Sequence, residues 1–198
     1  MNILNWLKTT GNLGNLFFKI RGFTPYPIVL LFILFAHPTF HSFLAGFFLM
    51  ALGESIRIWS VAYAGNDTRS REIGAIRLIT SGPYARVRNP LYLANMFIYT
   101  GATIIANVWP PYFLMFVWIY FGLQYYLIIK LEENTLSELF GETYLNFKQA
   151  VPRYLPRLSP VNIHNPVQTD FKSALVSEKS TFLSLTAVLI ILYLKMAF

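Results

Sequence analysis

Apolar residues fall along this chain in long blocks separated by short polar or proline-bearing breaks. A bilayer core takes about 20 apolar residues per helix. The clearest match is Pro90 to Ala106 followed, after Asn107-Val108-Trp109-Pro110-Pro111, by Tyr112 to Ile129, and the two read as a helical hairpin. Another span runs from Ser42 to about Ala64 and carries Glu54 and Arg57 on one helical face, so each partly neutralises the other near a membrane boundary. The last block, Phe182 to Phe198, is long enough to cross, with an in-plane C-terminal helix as the alternative. Ile28 to Ala36 is too short alone and is bounded by Pro25, Pro27 and Pro38. It is either a short span joined to the next through His37-Pro38-Thr39-Phe40 or part of one kinked span.

Charge favours the hairpin form. Lysine and arginine mark cytoplasmic loops, and the hairpin puts Lys8, Lys19 and Arg21, then Arg69, Arg71, Arg77, Arg86 and Arg88, then Lys130, Lys148, Arg153, Arg157, Lys172 and Lys179 on one side, with none in the opposite loops. The expectation is an all-α polytopic membrane protein of about five transmembrane helices, with a cytoplasmic N-terminus and a cytoplasmic amphipathic segment toward the C-terminus. The opening residues do not read as a cleavable signal, because Lys19 and Arg21 follow a run broken by Gly11 and Gly14.

Composition agrees: 55% of the 198 residues are hydrophobic and 13% charged, against about 25% charged in soluble domains. The absence of cysteine excludes disulfides, thiolate metal sites and a cysteine nucleophile. His37, His41 and His164 are scattered, so no metal site is expected. The net charge of +7 does not point to nucleic acid, since the basic residues flank apolar runs instead of forming a patch.

The chemistry gathers on the inner face. Arg86-Val87-Arg88-Asn89-Pro90 reads as a helix start, with proline at the first helical position and Asn89 pushed into extended geometry as the cap. Its backbone N–H groups and two arginines make a seat for a carboxylate or phosphate; a capped helix with topological arginines is the plainer alternative. Asn89 and Glu132 both lie roughly 20 residues from the Trp109-Pro110 turn, so Glu132 and Glu133 reach the depth of that helix start. Adjacent carboxylates point about 100° apart on a helix. One is therefore free to bridge and the other to hold a ligand, unless both form a solvated acidic pair. Beyond them Leu136, Leu139, Phe140, Tyr144, Phe147 and Val151 recur at helical spacing around Gly141, an amphipathic stretch suited to covering the hairpin mouth. Val151-Pro152-Arg153-Tyr154-Leu155-Pro156-Arg157 stops it with basic residues suited to phosphate or headgroup, or as a bare stop signal.

Taken in order, these pieces resemble the isoprenylcysteine carboxyl methyltransferase family and its relatives among phospholipid N-methyltransferases. The run Gly82-Pro83-Tyr84-Ala85-Arg86-Val87-Arg88-Asn89-Pro90-Leu91-Tyr92 resembles one family element, and Glu132-Glu133…Leu136…Phe140-Gly141…Tyr144…Val151-Pro152-Arg153 resembles the family's tail. Gly53-Glu54-Ser55-Ile56-Arg57-Ile58-Trp59 is more loosely similar. Two positions depart: Asn89 stands where many members have histidine, and Ala94 where glycine often stands.

The resemblance implies S-adenosylmethionine as cofactor, with cofactor binding carried onto Gly82, Tyr84, Arg88, Asn89, Tyr92, Glu132 and Glu133, and catalysis onto Glu133 and Arg153. Arg153 would grip an acceptor carboxylate or phosphate, and Tyr84 or Tyr92 would face the sulfonium. A carboxylate acceptor needs no general base, whereas an amine would need Glu132 or Glu133. The implied partners are the bilayer and a lipid or prenylated small-molecule or peptide substrate entering sideways between helices, with the active site cytoplasmic. In this reading residues 1–198 form one membrane domain, 80–158 the catalytic region, and 159–198 a linker with the last transmembrane helix. The competing expectations are an NADPH-dependent membrane reductase of the sterol type and a non-catalytic membrane protein on the same fold.

Overall fold

The computed structural model describes residues 13–65, 77–161 and 168–197. Lys8, Arg69, Arg71, His164, Pro166 and Phe198 lie outside the described residues. The described residues form helices and turns, with no strand among them. The helices are α1 (13–20), α2 (Tyr26–Phe35), α3 (Phe40–Ala64), α4 (Pro90–Ala106), α5 (Tyr112–Ala150), α6 (Phe171–Ser177) and α7 (Lys179–Ala197).

Three helices, α3, α5 and α7, are long and apolar enough to cross a membrane. Helix α4, with 17 residues, reaches about 25 Å and falls just short of the ~30 Å hydrocarbon core. The 10 residues of α2 reach only about 15 Å. Thus three of the expected spans meet the criterion of length.

The break between α2 and α3 is real. Thr39 caps α3 reciprocally with Ser42: the Ser42 amide donates to Thr39 Oγ1 at 3.2 Å, and the Thr39 amide donates to Ser42 Oγ at 2.9 Å. The link at 36–39 meets the α4–α5 turn, since the His37 amide donates to the Ala106 carbonyl at 3.0 Å and Asn107 Nδ2 to the His37 carbonyl at 3.1 Å. These arginine- and lysine-free links share one end of the bundle, while Arg88, Glu132 and Glu133 lie at the other. Lys195 departs from that division, because its Nζ approaches the Ala36 carbonyl at 3.5 Å.

Small residues let α3 and α4 touch. A Cβ on Gly46 would sit 2.3 Å from the Gly101 carbonyl oxygen, and one on Gly53 would sit 2.7 Å from that of Ala94. Such close approach is how helices gain contact where the surrounding lipid is as apolar as they are. Ala94 is fully buried in this seam; opposite a glycine, its methyl group is accommodated.

Two stretches carry more structure than the sequence pattern predicts. The amphipathic stretch follows directly on α5 and is interrupted at Gly141, whose φ of 50° is non-helical and favours glycine, so that two helical pieces meet there at a kink. The bend lets Tyr144, Phe147 and Val151 pack on Leu78, while Leu139 points outward. The stretch before the last span is also more than a linker. Asp170 caps α6 by accepting from the Ser173 amide at 2.8 Å, and Ala174 packs against Val61 and Ala62 of α3. The final helix accordingly begins at Lys179, earlier than Phe182.

Candidate functional site

The approach to α4 is a 3-10 turn, Gly82–Ala85. Gly82 adopts φ +61°, and a Cβ there would lie 2.5 Å from the Tyr63 ring. Its hydrogen is thus a packing requirement, and the turn it permits aims Tyr84 into a cavity. Burial pushes the Tyr84 phenol well above its ordinary pKa, with the Glu132 carboxylate adding to the rise.

Asn89 occupies the cap position of α4, yet its ψ of 60° is not extended and its side chain does not cap the helix. Nδ2 donates instead to the Arg153 carbonyl at 3.3 Å. Pro90 supplies no N–H, so the first turn of α4 carries backbone donors that no side chain caps.

The acidic pair divides its labour. Glu133 is 2% exposed and accepts from Arg88 Nε at 3.1 Å, Arg88 Nη2 at 2.9 Å and Arg153 Nε at 3.0 Å, with Arg153 Nη2 on its other oxygen. Lys148 Nζ stands 3.8 Å away. Arg88 also donates from Nη1 to the Lys148 and Val151 carbonyls at 2.7 and 2.6 Å. Glu133 thereby ties α5 to the α4 start and to the chain after Val151. The same bond raises the Arg153 pKa above its ordinary value. Arg153 is held by a carboxylate of its own chain, so an acceptor would have to compete for the grip expected from sequence. Glu132 instead accepts from the Tyr92 hydroxyl at 2.7 Å, and both residues line a cavity.

Tyr84, Arg88, Asn89, Tyr92, Glu132 and Glu133 all line one cavity of about 970 Å³, whereas Gly82 and Arg153 do not. That size lies at the upper end of ligand pockets, roughly 300–1,000 Å³. The cavity has two characters. Its polar lining comprises Tyr84, Arg88, Asn89, Tyr92, Glu132 and Glu133 with Arg21, Arg57 and Arg77; its apolar lining includes Phe32, Ile98 and Phe121 and the α7 residues Leu185, Val188 and Ile191.

A second polar chain crosses the wall and escaped the sequence reading. Arg57 donates to both oxygens of Glu178 at 3.0 Å and from Nη1 to Asn95 Oδ1 at 2.8 Å. Asn95 Nδ2 donates to the Tyr125 hydroxyl at 3.2 Å, and that hydroxyl to Tyr99 at 3.3 Å. Glu54, the expected partner of Arg57, is more distant at 3.9 Å. Asn95 was detectable, as an amide inside an apolar run three residues from Tyr92. Glu178 was not, lying 121 residues from Arg57.

A profile described as phospholipid methyltransferase matches residues 41–143, more than half of the chain. This chain belongs to the phospholipid methyltransferase family. Curated relatives include protein-S-isoprenylcysteine O-methyltransferase of Rattus norvegicus, 28% identical over 125 residues that cover 60% of this chain and 43% of the relative. The Homo sapiens protein of the same name is 27% identical over 124 residues, covering 60% and 42%. The cobalt-zinc-cadmium resistance protein CzcN of Cupriavidus metallidurans is 27% identical over 103 residues, covering 52% and 44%. The matched stretch spans less than half the length of these relatives. No solved structure matches the chain significantly. Family membership and the three apolar helices make this a membrane protein of that family. The family match begins in α3 and ends just beyond Gly141, taking in both carboxylates.

Proposed function

We infer that this phospholipid methyltransferase family member moves the methyl group of S-adenosylmethionine to a lipophilic acceptor drawn from the bilayer. The observation that carries the reading is the two-character cavity, polar where Tyr84, Tyr92 and Glu132 meet the α4 start and apolar between α2, α4 and α7. The fit rests on these donors and faces: carboxylate and hydroxyl groups for ribose or amino groups, backbone N–H groups for a carboxylate, and tyrosine rings for a cation. When bound, the cofactor supplies a sulfonium methyl group that an oxygen or nitrogen nucleophile takes by direct displacement.

The chain's part is chiefly to orient. Tyr92 fixes the Glu132 carboxylate through their 2.7 Å bond. Glu133 holds Arg88 and the Pro152 segment in place around the mouth. The catalytic region we assign spans residues 80–158 together with the α3 face that carries Arg57. A carboxylate acceptor needs no proton removed. An amine acceptor loses its proton to Glu132, the carboxylate that faces the cavity without an arginine clamp. Aliphatic chains of prenyl or acyl type suit the apolar lining, to which α7 contributes. The lysine and arginine residues in the loops beside this mouth support a cytoplasmic orientation for it.

Calorimetric titration of the purified chain with S-adenosylhomocysteine tests the reading. Saturable binding that Glu132→Gln weakens at least tenfold is expected, with no binding of NADPH. NADPH binding without S-adenosylhomocysteine binding would replace this reading with a reductase. Labelled methyl donor incubated with fractionated membrane lipid then identifies the acceptor by product mass.

A further inference from the structure

The segment after α5 returns to the α4 start and is fastened there. The Arg88 amide donates to the Pro152 carbonyl, the Arg157 amide to that of Arg86, and the Val161 amide to that of Ala85, each at 2.9 Å. Arg86 Nη1 also donates to the Arg157 and Leu158 carbonyls. These bonds hold residues 152–161 level with 85–88, just outside the first residue of α4. Helix α4, at about 25 Å, covers most of a hydrocarbon core of about 30 Å, so residues just beyond its first turn fit the level of the headgroup layer.

The outer side of this strap is unusual for a surface bathed in water. Leu155 is 80% exposed, Leu158 96% and Tyr154 48%. Beside them stand Arg86 and Arg157, which bond backbone carbonyls and have no carboxylate within ion-pairing distance among the described residues. Apolar side chains reaching past a basic rim, with an aromatic ring between, match an interfacial element seated in an anionic leaflet.

We propose that Tyr154, Leu155 and Leu158 insert into the headgroup and upper acyl layer of the adjoining leaflet, with Arg86 and Arg157 binding anionic lipid phosphates. The strap carries Arg153, whose guanidinium holds Glu133, so the mouth of the cavity is anchored to the lipid surface from which an acceptor arrives. This contact stands independently of which reaction the cavity performs.

The chain has no cysteine, so a spin label is introduced cleanly at Leu158→Cys in the full chain, with exposed Glu142→Cys as the reference. The labelled proteins are reconstituted into vesicles of phosphatidylcholine alone or mixed with phosphatidylglycerol, and collision with oxygen and with a water-soluble nickel chelate is measured. The expected result is an oxygen-to-chelate ratio at position 158 severalfold above that at 142, larger in the anionic vesicles and reduced toward the zwitterionic value by high salt. A ratio at 158 equal to that at 142 overturns the proposal, as does shielding from both reagents, which would mean that protein covers the strap. Equal depth in both lipid compositions overturns the anionic part.

Discussion

Glu133→Gln removes one negative charge from among Arg88, Arg153 and Lys148 without changing the shape of the side chain. Breaking a buried ion pair by altering one partner costs about 3–5 kcal/mol, because the other charge stays buried. Here Arg88 is 9% exposed and Glu133 3% by side chain, so that contact carries the full penalty. The Arg153 and Lys148 side chains are 28% and 38% exposed, and water screens their share to a fraction of a kcal/mol. The expected loss is therefore about 3 kcal/mol, at the low end of the buried range. Denaturant titration of the full chain in mixed micelles measures it, and limited proteolysis shows where the damage falls. Cleavage is expected to appear first between Pro152 and Val161, the stretch whose Arg153 loses its partner. A stability change under about 0.5 kcal/mol, the size of an ordinary surface substitution, would refute the view that Glu133 fastens α5 to the strap.

Further outcomes follow from other contacts. Glu132→Gln keeps a partner for Tyr92 and is expected to change stability by under about 0.5 kcal/mol while weakening S-adenosylhomocysteine binding, which separates the roles of the two neighbours in one pair of titrations. Gly101→Val places side-chain atoms where a Cβ already lies 2.5 Å from the Gly46 carbonyl; a loss of about 1–3 kcal/mol in micelle unfolding is expected from overpacking. Arg57→Ala leaves the fully buried Glu178 carboxylate without its bidentate partner, and α7 is expected to become protease-sensitive, with Arg57→Met/Glu178→Met recovering much of the loss. For Tyr84, a folded-state pKa above the unfolded one means that its contribution is present below about pH 10 and fades as pH rises through the folded value. Tyr84→Phe is accordingly expected to flatten the alkaline fall in stability above about pH 10.

The sequence made the helices legible where a long apolar run had a chemical stop. Pro90 and the Asn107 to Pro111 turn marked α4 to the residue, whereas α3 begins at Phe40, two residues before the expected Ser42, because Thr39 caps it. Equal arm lengths brought the Arg88 loop and the Glu132-Glu133 pair to one depth, and the Arg88–Glu133 bond shows them in contact. What stayed hidden was set by tertiary geometry. Which carboxylate would take the arginines depended on the rotation of α5 about its axis. The cap role of Asn89 was overridden because its amide found the Arg153 carbonyl. The glycine seam of α3 and α4 gave no signal beyond small residues seven apart, Gly46 and Gly53. The Arg57–Glu178 bridge joins residues with no local relation at all.

The central claim, that a sulfonium nucleotide sits between the α4 start and the acidic end of α5, is met most directly by photo-crosslinking the chain with methyl-labelled S-adenosylmethionine and mapping the labelled peptides. Label on peptides containing Tyr84 to Asn95 and Glu132 to Tyr144, competed away by S-adenosylhomocysteine, is the predicted result. Competed label confined to peptides from the α2–α3 link or the Trp109 turn, at the other end of the bundle, would contradict the account.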